Sequence, residues 1–198
     1  MTVGRQITRA DILSMAEYGA IRREQRSRVS ELKRDRRIEV GPYTTFYFEN
    51  YETMWHQVHE MLFVEKGGEE QIKDELDAYN PLIPNGSELI ATVMIEVPEA
   101  ARRTAVLHMV GGIEDHMVLS IGGETVRGLP DPERENTSPE GKASSVQFVR
   151  FALNPAQKAA FRSGAPVTLG FDHPRYGHAA TIPANVRQAL SDDLTADG

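Results

Sequence analysis

The sequence predicts an α+β fold: an N-terminal antiparallel helical hairpin followed by a mainly antiparallel five-stranded sheet with flanking helices. Two observations carry this. Residues 18–37 and 44–66 repeat apolar side chains at helical spacing, with Gly41-Pro42 between them. After Asn80-Pro81 and Pro84-Asn85-Gly86 the pattern changes to short β-branched and apolar runs separated by glycine and proline. Apolar residues make up 40% of the 198 and charged residues 26%, so the chain is globular in composition rather than disordered.

Thr8 before Arg9-Ala10-Asp11 predicts a capped short helix over 9–16. The first long helix, 18–37, carries the stripe Tyr18, Ile21, Val29 and Leu32. The second, 44–66, presents Tyr47, Tyr51, Met54, Val58, Met61 and Leu62, and Gly67-Gly68 ends it. A turn this short sets the two helices antiparallel. A third helix is predicted over 69–79. Strands are predicted over 88–97, 116–121, 124–129, 145–153 and 166–171, forming one sheet, with Gly122-Gly123 as a hairpin turn. Helices are expected at 99–110, 155–162 and 183–194, and residues 130–144 read as a polar loop. Residues 1–85 thus form a helical lobe and 86–198 an α+β lobe within one compact unit.

No cysteine occurs, which excludes disulfides, thiolate zinc sites and Cys-ligated iron–sulfur clusters. No apolar run reaches the ~20 residues of a membrane helix, and MTVGRQITRADIL has no apolar core of a secretory signal, so a cytoplasmic location is expected. The net charge of −7 is uneven. Residues 1–40 hold ten Lys/Arg against six Asp/Glu, whereas 41–100 hold two against twelve. The basic arm over 22–37 is interleaved with Glu24, Glu31 and Asp35 and lacks aromatic residues for stacking on single strands. Packing beside the acidic stretch is therefore expected, and nucleic-acid binding is not.

The cluster Glu49, Glu52, His56, His59 and Glu60 has the three- and four-residue spacings of a bundle metal site. On a helical wheel with Tyr47 at zero, however, these side chains fall about 120–220° away, opposite the apolar stripe. Glu65 falls on the stripe itself. If the hairpin turns at Gly41, Tyr18 and Arg22 come near Glu60 and Glu65, and a shielded Arg22–Glu65 salt bridge is expected. Asp172, His173, Arg175, Tyr176 and His178 crowd a strand-end loop, which holds either a site or simply turns. No Gly-x-Ser-x-Gly, Walker A or Gly-x-Gly-x-x-Gly motif occurs.

The segments GPYTTFYFEN, ETMWHQVHEMLFVEK, DELDAYNPLIPNGSELIATVMIE, GGIEDH and ERENTSPEGKASSVQFVRFAL, in that order, resemble a bacterial family designated domain of unknown function 3501. That family's pattern matches at Glu49, Asn50, Gln57, Glu60-Met61 and Glu65. It departs at His56 and His59, which are not usually histidine there, and at Gln147, where the family usually reads Val-His-Phe. The resemblance implies no activity. It implies a gene neighbourhood with a rubrerythrin-like di-iron protein and a heterodisulfide-reductase-like iron–sulfur protein, hence a redox or peroxide-stress setting. The leading expectation is a non-enzymatic accessory protein that binds such a partner. The alternative is an iron- or manganese-binding oxidoreductase with Glu49, Glu60 and Glu65 as ligands.

Overall fold

A computed structural model describes residues 4–195. The chain opens on a single 3-10 turn, Arg9–Asp11, shorter than the helix expected there, with Asp11 accepting from the Thr8 backbone and hydroxyl. Helix α1, Met15–Arg34, starts at Ser14, whose side chain accepts from the Glu17 amide while Glu17 reaches back to the Ser14 amide.

The helical hairpin needs correction. The Gly41-Pro42 turn joins two strands, β1 (Arg37–Val40) and β2 (Thr44–Phe48), paired with Arg37 opposite Tyr47 and Val40 opposite Thr44. The run Thr44-Thr45-Phe46-Tyr47-Phe48 is β-branched and aromatic throughout, and all of it is buried except half-buried Tyr47. Helix α2, Tyr51–Glu65, begins only where Asn50 caps it by accepting from the Thr53 amide. The antiparallel meeting of the two helices persists across the inserted strands: Arg22 bonds Glu60 and Arg28 bonds Glu52.

Helix α3 (Gly68–Tyr79) and a 3-10 turn (Asn80–Leu82) lead to β3 (Glu88–Ile95). Then come α4 (Ala100–Met109), β4 (Met117–Ile121), β5 (Glu124–Arg127), β6 (Leu129–Pro130), β7 (Val146–Ala152), α5 (Pro155–Ser163), β8 (Val167–Phe171), β9 (Ala179–Thr181) and α6 (Ala184–Ser191). The fold class is α+β, but the strands form two antiparallel sheets rather than one, in the orders β1-β2-β3-β7-β6 and β5-β4-β8-β9.

The expected strand 124–129 is divided at Gly128, where the chain passes from one sheet to the other. A Cβ there would lie 2.5 Å from Val149 Cγ2, so only glycine lets the chain cross so close to β7. The Gly122-Gly123 hairpin forms as expected, with φ of 58° and 93°. Strand β7 lies inside its sheet, between β3 and the two-residue β6.

The two sheets face each other over the main core, where Phe46, Phe48, Leu89 and Phe151 meet Met117, Leu119 and Leu169. The other face of the five-stranded sheet carries a second core, in which Ile90 packs with Met54, Val58 and Leu62 of α2 and Ile72 of α3. Because β2 precedes residue 85 and pairs with β3 after it, the sheet crosses the boundary drawn between the two lobes. No helix among the described residues is long and apolar enough to cross a membrane.

Candidate functional site

Along the α1–α2 seam a polar network is buried under aromatic contacts. Tyr18, 1% exposed, packs edge-on against Trp55 and Phe63 and lies 4.9 Å from the His59 ring. Its hydroxyl donates to Glu60 Oε1 at 2.8 Å, and Arg22 clasps both Glu60 oxygens at 2.9 Å. The Arg22 guanidinium, helped by the Tyr18 hydroxyl, holds the Glu60 carboxyl down at about 2 against the opposing effect of burial. Burial, then Glu60, pushes the Tyr18 hydroxyl upward.

Since the single Tyr18 proton goes to Glu60, His56 Nδ1, 3.0 Å from the same hydroxyl, must be the donor in that contact. His59 has both nitrogens occupied: Nδ1 donates to the Trp55 carbonyl at 2.7 Å and Nε2 accepts from the Leu13 amide at 3.1 Å. Burial lowers the pKa of both histidines, keeping them neutral.

Glu49, at the end of β2, is 4% exposed. Its oxygens accept from the Thr53 hydroxyl at 2.6 Å and the Thr92 hydroxyl at 2.7 Å, with no cation bonded to the carboxylate among the described residues. It lines an inner cleft of about 290 Å³ with Lys33, Tyr47, Met54, Gln57, Tyr79, Met94 and Phe148. An adjoining outer cleft of about 320 Å³ shares Lys33, Tyr47 and Gln57 and adds Arg26, Arg34, Arg37 and His56. On the other side of Phe148 lies a groove of about 840 Å³ between α3, β6 and β7, with Leu82, Ile90, Leu129 and Pro130 along it and Asp74, Asp77, Asp131 and Glu133 at its rim.

The family model described as "Protein of unknown function (DUF3501)" matches residues 6–194. The chain belongs to this family. A crystal structure of a novel protein of unknown function from Burkholderia pseudomallei K96243 is 39% identical, covers 96% of this chain and 100% of its own, and superposes with a TM-score of 0.89. No curated protein matches the chain.

The three carboxylates singled out as possible ligands do not converge in this DUF3501 protein. Glu49 is bound by threonines, Glu60 by Tyr18 and Arg22, and Glu65 is exposed and accepts from Gln71 Nε2 at 2.8 Å. Among the described residues no group of three or more His, Asp or Glu is placed to hold a metal ion.

The expected Arg22–Glu65 pair is thus corrected to Arg22–Glu60. On the wheel Glu65 stays in line with the buried Met54, Val58 and Leu62, so its angle is right and its position along the helix decides. With α2 beginning at Tyr51, Glu65 is its last residue, past the end of the packed face.

In the strand-end loop, His116 and Arg127 bond Asp172, and His173 Nε2 donates to the Gly111 carbonyl at 3.2 Å. The Tyr176 hydroxyl donates to the Val40 carbonyl at 2.9 Å. Tyr176 thus staples the turn to the β1–β2 hairpin, while Asp172 and His173 tie it to His116, Arg127 and Gly111.

Sequence reasoning missed the outer cleft, although the signal was present. Arg26, Ser30, Lys33, Arg34 and Arg37 recur at intervals of four, three, one and three, which is one face of a helix.

Proposed function

We propose that this DUF3501 protein is an accessory binding protein whose groove between α3, β6 and β7 docks a redox or stress-response partner. The observation that carries the reading is the composition of that groove. Its floor is apolar, and Leu129 stands 55% exposed on the two-residue edge strand, an arrangement that marks interaction surfaces. Its rim keeps Asp74 and Glu133 outside any ion pair among the described residues, while Arg134 is engaged with Asp131, Arg150 with Glu88 and Asp77 with Lys73. A partner segment that mixes apolar and basic side chains matches both properties.

The gene neighbourhood implied by the family resemblance supplies the candidates: a rubrerythrin-like di-iron protein or an iron–sulfur protein. The alternative, an iron or manganese oxidoreductase, draws no support from the dispersed positions of Glu49, Glu60 and Glu65.

The test is a binding titration of the purified protein against each encoded redox neighbour. Expected is saturable binding that Leu129→Asp weakens at least tenfold without shifting the melting temperature. No binding by either neighbour at about 10 μM, a modest affinity for a specific complex, overturns the reading.

A further inference from the structure

We propose that the paired clefts beside α1 form a binding site for a small nucleotide-like ligand, a phosphorylated compound bearing a planar heteroaromatic ring. This goes beyond partner docking and rests on a different surface.

The outer cleft is a phosphate site by charge. Arg22, Arg28 and Arg36 are held in ion pairs with Glu60, Glu52 and Asp193. Arg26, Lys33, Arg34 and Arg37 form no ion pair among the described residues, and all four line the same concave surface with His56. Glu60, the carboxylate nearest His56 in the network, is neutralised by Arg22 and does not compete for an incoming anion. Four cations outside any ion pair among the described residues, converging on one concavity whose nearby carboxylates Glu39 and Glu96 stand by Tyr47, raise the local potential for a phosphoryl group, and guanidinium forks match its oxygens two at a time.

The inner cleft has the features of a ring site. Tyr47, Tyr79, Phe148, Met54 and Met94 line it, and the Arg134 guanidinium, 4.3 Å from the Phe148 centroid, leaves at most one face of that ring to a ligand. Polar groups sit among them at a few points only. Glu49 uses one hydroxyl donor on each carboxylate oxygen and retains acceptor capacity toward the cleft it lines. Gln57 lines both clefts, its amide 3.5 Å from the Tyr79 hydroxyl. A buried carboxylate without a cation is costly unless further donors complete it, and the ring N–H or amino groups of a heterocycle are such donors. The two clefts share Lys33, Tyr47 and Gln57, so one molecule can place its phosphate outside and its ring inside. Each cleft, at about 290 and 320 Å³, is at the lower limit for a small-ligand pocket, and together they fall well within the range.

The experiment is isothermal titration of the full chain at low salt with nucleoside mono-, di- and triphosphates, the unphosphorylated nucleosides, inorganic phosphate and pyrophosphate, and a single-stranded oligonucleotide. Expected is binding of at least one nucleotide that exceeds its nucleoside and inorganic phosphate by tenfold or more, and that weakens with added salt. The double variant Arg34→Ala/Arg37→Ala should reduce that affinity at least tenfold, whereas Arg23→Ala, outside the cleft, should not. Both residues of the double variant are exposed, and an unchanged melting temperature verifies that the variant is folded. Three results overturn the proposal: no nucleotide bound at millimolar concentration, phosphate or pyrophosphate bound as tightly as the nucleotides, or the oligonucleotide bound more tightly than any mononucleotide.

Discussion

Glu60→Gln tests the buried network at its centre. In the native protein one carboxylate receives three donors, two from Arg22 and one from Tyr18. The amide keeps one acceptor oxygen and turns an N–H₂ group toward an Arg22 nitrogen, so a charge-assisted bond is replaced by a donor–donor contact.

The drop of the Glu60 carboxyl from 4.5 to about 2 corresponds to roughly 3 kcal/mol of favourable interaction with the ionised form. With the side chain 19% exposed, solvent screening reduces this to about 2 kcal/mol at neutral pH. The folded-state value lies below the unfolded one, so this stability is fully present above about pH 4.5 and is lost as the pH falls toward 2. Urea unfolding of wild type and Glu60→Gln at pH 7 and pH 3 measures both effects. The expected difference is about 2 kcal/mol at pH 7, falling by more than half at pH 3. A difference below about 0.5 kcal/mol at pH 7, the size of an ordinary surface substitution, or one that does not change with pH, would refute the network as described.

Glu65→Gln, by contrast, should stay within about 0.5 kcal/mol of wild type in the same assay, because Glu65 is exposed and bonded only to Gln71. Arg36→Met should lower unfolding stability by about 3–5 kcal/mol: it strands Asp193 in the interior and removes the donors to the carbonyls of Phe48, Glu49 and Ala189. Gly170→Ala should cost about 1–3 kcal/mol by thermal melting, because its Cβ would lie 2.4 Å from the His178 carbonyl oxygen and push β9 off β8. Gln147→Leu should change stability by less than about 1 kcal/mol: it loses the Nε2 bond to the Asn136 carbonyl but also removes a buried Oε1 that has no partner.

The elements that the sequence placed correctly are those whose signals are local. Asn154-Pro155 opens α5 with its cap, and Gly122-Gly123 makes the β4–β5 turn with both residues at positive φ. The errors arose where tertiary pairing overrides a local pattern. Thr44–Phe48 satisfies a helical stripe if read together with 51–62, yet its β-branched and aromatic residues suit the place between β1 and β3 that tertiary pairing gives it. Likewise 124–129 reads as one strand in sequence but serves two sheets, because Gly128 has no side chain to keep β6 away from β7.

The site follows the same division. Helical arithmetic correctly brought Tyr18 and Arg22 to Glu60, since antiparallel contact depends on residue spacing more than on what joins the helices. It could not tell which bases along 22–37 would stay unpaired, because that depends on which acids the rest of the chain brings within reach. Arg36 finds its partner 157 residues away in Asp193, and Arg28 finds Glu52 across the seam. What remains on α1 and the start of β1 is Arg23, outside the cleft, and Arg26, Lys33, Arg34 and Arg37 around one concavity. A stretch rich in bases is therefore sorted by folding into cations that hold the structure together and cations left unpaired, most of them facing a cleft. Only the second set is available to an incoming anion, which is why removing Arg34 and Arg37 should affect ligand binding while removing Arg36 should affect folding.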